Sequence, residues 1–133
     1  ALAYQRVGRI RDALRVANDM LACIDQTGHR DQEADTRRLH AMLLLANDVD
    51  LGEVAQHLHR ARTVAQRQGA RLIELRVLTE LCEVERRIGG AGAARQALHR
   101  LYATFTEGFE TIDLRAARLA LATHQIHDAT ERL

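Results

Sequence analysis

The histidines are the residues of this chain with the clearest potential for chemistry, and there are seven of them. His124, His127, Asp128 and Glu131 follow one another at i, i+3, i+4 and i+7, a spacing that places them on one face of a helix and could hold zinc. They lie near the end of the chain, and no residue that could orient the ligands stands nearby. The sequence therefore predicts no native metal site.

The remaining candidate groups do not form a reactive set. His57 and His59 point to different faces of a helix and cannot chelate together, and His40 and His99 read as single, partly exposed histidines. The glycine-rich stretch 89–92 lacks the lysine and hydroxyl residue of a phosphate loop, and no nucleophile elbow or dinucleotide fingerprint is present. We predict no catalytic residue and no cofactor in this segment.

The two cysteines, Cys23 and Cys82, are too far apart in the chain for a metal or redox motif. Each lies in an apolar helical run, which predicts buried, reduced thiols. Reduced thiols are typical of cytoplasmic proteins, so we expect the chain in the cytoplasm.

The charge of the chain is balanced. All 19 basic residues are arginine, 18 residues are acidic, and the net charge is +1 with the two signs interleaved. Nucleic-acid binders usually concentrate positive charge on one face, so we expect no nucleic-acid partner. No stretch approaches the roughly 20 apolar residues of a membrane span, so no membrane association is expected.

Glycines divide the chain at a regular period. Gly28, Gly69 and Gly108 are spaced by 41 and 39 residues, and an acidic residue follows each glycine after five positions. Helical patterning fills the intervals, and aliphatic residues with alanine dominate the apolar positions. This self-similarity predicts an all-α fold, an α-solenoid of stacked antiparallel helical hairpins within a single domain over residues 1–133.

Apolar spacing and capping signals predict the helix limits. Gly8 ends a short N-terminal helical stub, and Asp50 is the predicted N-cap of the third helix. The fourth helix has the broadest apolar face, which places it in the middle of the stack. Six helices follow the stub, over about 9–27, 30–47, 51–68, 70–88, 92–106 and 111–130.

The spacing inside the units resembles tetratricopeptide repeats, in which a glycine ends the first helix of a hairpin and an alanine follows five residues later. Gly8 with Ala13 and Gly89 with Ala94 reproduce this spacing. The resemblance implies that helices 2, 4 and 6 are first helices and that helices 1, 3 and 5 are second helices. The sixth helix would then close the array without a partner.

The segment 101–117 is similar to the terminal motif of a bacterial family of large signalling proteins. In that family a nucleotide cyclase or DNA-binding module is joined to an AAA/STAND-type ATPase, followed by tetratricopeptide-like repeats. The motif reads aromatic, two residues, Phe-Thr-Glu-Gly-Phe, acidic, Thr-Pro-Asp-Leu, and Ile112 stands here in place of the proline. The resemblance implies that the chain is the C-terminal part of a larger protein whose enzymatic activity, if any, lies elsewhere.

Four residues of this motif form a predicted structural clasp. Tyr102 and Phe105 lie on one face of the fifth helix, Gly108 turns the chain, and Phe109 folds back onto that face. With isoleucine at position 112, Thr111 must cap the sixth helix. We expect this clasp to matter more for stability than any charged cluster.

The leading functional hypothesis is a non-catalytic protein-interaction or regulatory repeat domain. A groove lined by the first helices could offer Arg37, Arg38 and Glu74 to a partner peptide or to another domain of the parent protein. The alternative is a sensor that binds a small ligand or peptide between hairpins. Since the stub lacks a hairpin partner, its apolar residues also predict self-association through the N-terminal end.

Overall fold

A computed structural model gives the backbone of residues 2–28, 30–90 and 92–132, with side chains described within 5–28, 30–90 and 92–122. In these ranges the chain is helical and no residue lies in a β-strand, which confirms the predicted all-α class. None of the helices found there combines the length and apolar character needed to cross a membrane. The six helices are α1 (Leu2–Thr27), α2 (Glu33–Ala46), α3 (Leu51–Gln68), α4 (Arg71–Ile88), α5 (Ala93–Tyr102) and α6 (Ile112–Arg132).

The predicted N-terminal stub is wrong, because α1 continues through Gly8 without a break. Gly8 is absent from the positive-φ glycines of the described chain, so its backbone does not form a left-handed helix end. Its neighbours on both sides include alanine, leucine and arginine, which are good helix formers. One exposed glycine costs a helix only about 1 kcal/mol relative to alanine, which this flanking sequence can offset.

The glycines that end α3 and α4 behave as predicted for helix C-termini. Gly69 has φ +66° and Gly89 has φ +84°, both in the left-handed region. After each of them the chain closes with a six-residue backbone hydrogen bond, from the Ala70 amide to the Ala65 carbonyl and from the Gly90 amide to the Glu85 carbonyl, both at 2.9 Å. This pattern satisfies carbonyls that would otherwise lack partners at the helix end.

The turn between α2 and α3 forms without the predicted side-chain cap. Asp50 occupies the N-cap position of α3, but its side chain makes no capping hydrogen bond. The turn is held instead by backbone hydrogen bonds to the last carbonyls of α2, with Asp48 in the left-handed region at φ +58°. Aspartate tolerates this conformation better than most residues.

Helix α5 ends four residues earlier than its predicted limit of residue 106. The hydroxyl of Thr104 donates a 2.7 Å hydrogen bond to the Leu101 carbonyl, and the Thr104 and Phe105 amides bond three residues back rather than four. A threonine hydroxyl competes in this way for helical carbonyls, which tightens and ends the helix. Phe105 therefore lies in the following turn and not on the face of α5.

Helix α4 lies at the centre of the packing, as its broad apolar face predicts. It packs against α3, α5 and α6 and also contacts α2. Its fully buried side chains meet small and aliphatic residues of the neighbouring helices, including Ala41, Leu58, Leu98 and Ala117. The buried residues of α4 are Leu75, Val77, Leu78, Leu81, Cys82 and Val84.

Helix α1 packs against α2 through part of its apolar face. Ala17 and Ile24 are buried, whereas Met20 is 40% exposed. Cys23 is exposed, so the prediction of two buried thiols is wrong for this residue and holds only for Cys82. The reason is the helix rotation, since Cys23 lies about 100° from Ile24 around α1, on the side away from α2.

We predict opposite effects of alanine at two glycines. Gly8→Ala should stabilise the protein by about 0.5–1 kcal/mol, because Gly8 is in a helix interior and an added Cβ meets nothing within 4 Å. Gly69→Ala should destabilise it by about 1 kcal/mol, because an L-residue is strained at φ +66°. Urea unfolding of both variants measures the two changes, and a loss of stability in Gly8→Ala would contradict the continuous α1.

Candidate functional site

A groove of about 350 Å³ runs between α2, α4 and α6. These are the helices that the resemblance to tetratricopeptide repeats assigns as the first helices of hairpins. Helix α4 forms its floor, because Arg76, Thr79 and Glu80 at i, i+3 and i+4 share one face of that helix. The remaining walls are Arg38 of α2 and the first turns of α6, namely Ile112, Asp113 and Ala116.

Arg38 joins α2 to α4 across the groove. Its Nη1 lies 2.5 Å from Glu80 Oε1 and its Nε lies 2.9 Å from Asp35 Oδ1, and the side chain is only 14% exposed. Burial alone would lower the pKa of Arg38, but the two carboxylates outweigh that effect and raise it. The guanidinium is therefore held as a cation between two acids.

Arg76 joins α4 to α6 by a bidentate ion pair. Its Nε and Nη2 donate to the two carboxylate oxygens of Asp113 at 2.9 and 3.0 Å. The hydrogen bonds to Asp113 raise the pKa of Arg76 despite partial burial. Planar, bidentate pairing fixes orientation as well as distance, so this contact sets where the first turn of α6 sits against α4.

Glu80 has one carboxylate oxygen without a hydrogen bond. Its Oε1 accepts from Arg38, but its Oε2 is buried and has no partner within the described part of the chain. Burial raises the pKa of Glu80, and the neighbouring Arg38 only partly opposes the rise. An unsatisfied buried acceptor is costly, typically about 1–3 kcal/mol, and needs an explanation.

The charges that line the groove are balanced, with two arginines and two carboxylates. Arg38 and Arg76 face three carboxylates, those of Asp35, Glu80 and Asp113. Each arginine is already engaged by hydrogen bonds to acids, whereas Glu80 Oε2 still lacks a donor. The open capacity of the groove is therefore for a hydrogen-bond donor, which a lysine, arginine or amide group can supply.

Only one of the three predicted partner-binding residues lines this groove. Arg38 does, but Arg37 lies elsewhere on α2, where its Nε donates to the buried Glu33 at 3.1 Å. Glu74 accepts from Arg62 at 3.4 Å and from Gln66 at 3.1 Å, so it joins α4 to α3. The structure does not bring the three predicted residues together.

A charge pattern in the sequence could have identified the groove residues that were not predicted. Arg38 and Glu80 are 42 residues apart, and Arg76 and Asp113 are 37 apart, so both ion pairs join residues about one repeat period apart. Opposite charges at about the spacing of the periodic glycines therefore indicate the contacts of α4 with α2 and with α6.

The aromatic residues near Gly108 make two separate contacts. The rings of Tyr102 and Phe109 lie 5.8 Å apart, and Gly108 has φ +79° as the turn requires. Phe105 instead lies under the guanidinium of Arg71 in α4, 4.6 Å from the ring centre, a cation–π contact. Phe109 is 37% exposed, so the predicted clasp of Tyr102, Phe105 and Phe109 is looser than a buried cluster.

Thr111 stands before α6 as the predicted capping residue. Its hydroxyl accepts a long hydrogen bond of 3.4 Å from the Leu114 amide and donates to the Gly108 carbonyl at 2.7 Å. This closes the turn in the absence of the proline that the resembling motif carries.

Two histidines meet at the interface of α2 and α3. His40 is 9% exposed, and its ring contacts that of His57 edge-on with centroids 5.1 Å apart. The expectation of a single, partly exposed His40 is therefore wrong. Burial lowers the pKa of His40, and His57 and Arg37 lower it further. The Nε2 atom of His57 lies 4.0 Å from Glu53 Oε1.

No cluster of three or more metal-binding side chains occurs in the part of the chain with described side chains. The candidate set His124, His127, Asp128 and Glu131 lies outside those residues. The thiol of Cys82 is buried, and burial with the nearby Glu85 raises its pKa to about 12. That thiol is therefore a poor nucleophile and a poor metal ligand in the folded protein.

We predict that acidification destabilises the protein through His40. Its folded pKa is lowered, so the unfolded chain takes up the proton first as the pH falls below about 6.5, and stability declines until the folded pKa is passed. His40→Gln removes this titration and should flatten urea-unfolding stability between about pH 7 and pH 5. His59→Gln, at an exposed residue of α3, is the control and should keep the wild-type profile.

We predict that Phe109→Ala lowers stability by about 1–2 kcal/mol, less than the 3–5 kcal/mol typical of a buried phenylalanine, because the ring is partly exposed. Arg37→Ala should change it by less than about 1 kcal/mol, since Arg30 still donates to Glu33 at 2.5 Å. Thermal denaturation compares the two variants. If Phe109→Ala melts like the wild type, the Phe109 ring is a surface group that adds no stability. A binding role for this turn is then favoured over a structural one.

Comparison with known proteins adds no relative. A scan against protein-family models and searches of curated proteins and of solved structures find no match. The resemblance of segment 101–117 to bacterial signalling ATPases therefore stays a prediction from the motif.

Proposed function

We propose that this chain is a non-catalytic protein-interaction domain of stacked helical hairpins that binds a partner segment in the groove between α2, α4 and α6. The pattern of helix contacts supports the solenoid architecture. Each helix packs on the next along the chain, and the even-numbered helices also contact one another, α2 with α4 and α4 with α6. Hairpins stacked with their first helices side by side produce this pattern.

The observation that carries the proposal is the Oε2 atom of Glu80. It is a buried acceptor that belongs to a groove-lining residue and has no donor among the described residues. A lysine, arginine or amide group of a bound segment would satisfy it and remove the cost of its burial. The new hydrogen bond would then contribute to the free energy of binding.

The groove also offers an apolar contact beside this acceptor. Ile112 is 83% exposed at the start of α6 and lines the same groove as Glu80. An exposed isoleucine at a groove edge gains free energy when a partner covers it. The segment that fits is therefore one with a basic side chain next to an aliphatic or aromatic one.

The alternative, a small anionic effector bound between hairpins, has less support. Arg38 and Arg76 converge on the groove as such a sensor requires, but both guanidinium groups already bind carboxylates. An anion would have to displace Asp35, Glu80 or Asp113 from them. A cationic partner requires no such exchange.

The parent protein enters the proposal through the motif at 101–117. Its resemblance supports a regulatory arm of a bacterial signalling or transcription-regulating ATPase, in which the partner is another domain of the parent chain or a separate peptide. In either case the same groove chemistry applies, because recognition depends on Glu80 and Ile112 and not on the source of the segment.

A peptide library displayed on phage tests the proposed function. We expect selection on the wild-type domain to enrich peptides with arginine or lysine adjacent to an apolar residue. A synthetic peptide from this pool should bind Glu80→Gln about 10- to 100-fold more weakly by isothermal calorimetry, the loss expected for a charge-assisted hydrogen bond.

Glu83→Gln is the matched control for this experiment. Glu83 is on the same helix but binds Arg86 and Arg87 outside the groove, so the peptide affinity should not change. Circular dichroism should show that both variants are folded. Selection of acidic peptides, or affinity that is equal in wild type and Glu80→Gln, would overturn the proposed groove.

A further inference from the structure

Helix α1 is longer than the helix it packs against. It has 26 residues and α2 has 14, so α1 is longer by about 18 Å at 1.5 Å per residue. Since only residues 28–32 join the two helices, they run antiparallel, and α2 covers the C-terminal part of α1. In the described part of the chain α1 packs against no other helix. The N-terminal part of α1 therefore projects beyond α2.

Side-chain exposure along α1 agrees with this geometry. Ala17 and Ile24 are buried against α2, whereas every residue from 5 to 9 is exposed and Ile10 is partly exposed. A Cβ added at Gly8 meets nothing within 4 Å, so no side chain of the described structure lies close to it. Residues 5–11, here called the α1 overhang, are thus left uncovered by the rest of the described fold.

The apolar seam of α1 continues into the overhang. Its members alternate at spacings of three and four and fall within a stripe about 100° wide. They are Val7, Ile10, Leu14, Ala17, Leu21 and Ile24. The seam that packs on α2 at Ala17 and Ile24 therefore extends to Val7, which is 42% exposed. Apolar residues at this alternating spacing form a surface that suits packing on another helix.

Three arginines flank the exposed end of the seam. By helix geometry Arg6 and Arg9 lie on one side of it and Arg11 lies on the other. All three are exposed, and none forms an ion pair or hydrogen bond with another described residue. Their charges are therefore available to a partner that packs on the seam.

The acids of α1 lie on the other side of the helix. Asp12 and Asp19 point about 170° away from the seam, and Asp12 pairs with Arg15 at 3.0 Å. Asp48, in the turn that follows α2, forms no ion pair with the arginines of the overhang within the described structure. The charge that borders the exposed seam is therefore positive.

We propose that the α1 overhang docks an amphipathic helix of a partner protein whose apolar stripe is flanked by aspartate or glutamate. The partner helix packs on Val7 and Ile10, and its carboxylates face the three arginines. This surface is separate from the groove between α2, α4 and α6, and it takes an acidic partner where the groove takes a basic one. The proposal does not depend on the proposed function.

Charge and shape favour this occupant over three others. A second copy of the chain would bring the same three arginines against the overhang, and like charges oppose such a contact. Helices that bind a lipid surface bury large leucine, phenylalanine or tryptophan side chains, whereas the overhang offers Val7 and Ile10. A nucleic acid would use the arginines but would leave the apolar seam exposed.

A designed peptide tests the proposal on the full chain. The peptide has about 21 residues, with leucine at alternating spacings of three and four and glutamate on both sides of that stripe. A matched peptide carries glutamine in place of each glutamate. By fluorescence anisotropy we expect the glutamate peptide to bind with a Kd on the order of 100 µM and the glutamine peptide to bind about 10-fold more weakly. Added salt should weaken the first and leave the second unchanged.

Two pairs of variants locate the binding of the glutamate peptide. Arg6→Gln with Arg11→Gln should weaken it about 5- to 10-fold. Arg60→Gln with Arg67→Gln removes the same charge from exposed residues of α3 and should have no such effect.

A matched pair of valines tests the apolar seam. Val7→Ser should weaken binding about 3- to 10-fold, because the partner then covers less apolar surface. Val16→Ser is the control, since Val16 is 58% exposed on the other side of α1 and the affinity should not change. Circular dichroism with thermal melting verifies the fold of every variant. Glu80→Gln should bind the glutamate peptide like the wild type, which separates this surface from the groove.

Three outcomes would overturn the proposal. One is equal binding of the glutamate and glutamine peptides, or no binding of either up to about 1 mM. Another is an affinity that Val7→Ser leaves unchanged. The third is wild-type protein that ignores the glutamate peptide but sediments with vesicles of phosphatidylcholine and phosphatidylserine, in which case the overhang binds a lipid surface.

Discussion

The burial of α4 is the constraint on which the rest of the structure depends. Its side chains Leu75, Leu78 and Leu81 are fully buried, and four other helices contact it. With aromatic residues at only 3% of the chain, this core consists of leucine, valine and alanine together with Cys82, and the alanines allow the helices to approach closely. Because such a core gains free energy from close fit, the positions of α2, α3, α5 and α6 are all set relative to one helix.

The polar edge of the same helix forms the floor of the groove between α2 and α6. Arg76 and Glu80 lie at the edge of the core, where α4 borders α2 and α6. Glu80 forms an ion pair with α2 and Arg76 forms one with α6. Ion pairs of this kind contribute little net stability, because partial desolvation offsets much of their attraction, but they restrict which geometry the helices adopt. The groove is thus a direct product of α4 packing, and its unsatisfied Glu80 oxygen is positioned by the core beneath it.

The sequence predicted the parts of the fold that depend on local pattern. The limits of α3 and the glycine ends at Gly69 and Gly89 follow from apolar periodicity and backbone freedom, which act within a few residues. The predicted helix end at Gly8 is wrong, because the sequence does not distinguish a glycine that ends a helix from one that lies inside it. The groove was predicted as a surface between first helices, yet of its predicted residues only Arg38 lines it. The burial of His40 and the exposure of Cys23 depend on how helices rotate against each other, which periodicity alone does not define.

The position of Cys82 gives the core an additional property. Its thiol is fully buried on the central helix and stays protonated at neutral pH, whereas Cys23 is open to solvent. An oxidant or alkylating reagent can therefore reach Cys23 directly from solvent. It reaches Cys82 only when α4 separates from its neighbouring helices. The chemical lifetime of Cys82 in an oxidising environment therefore depends on how often the helices around α4 open, together with the reactivity of the thiol once it is exposed.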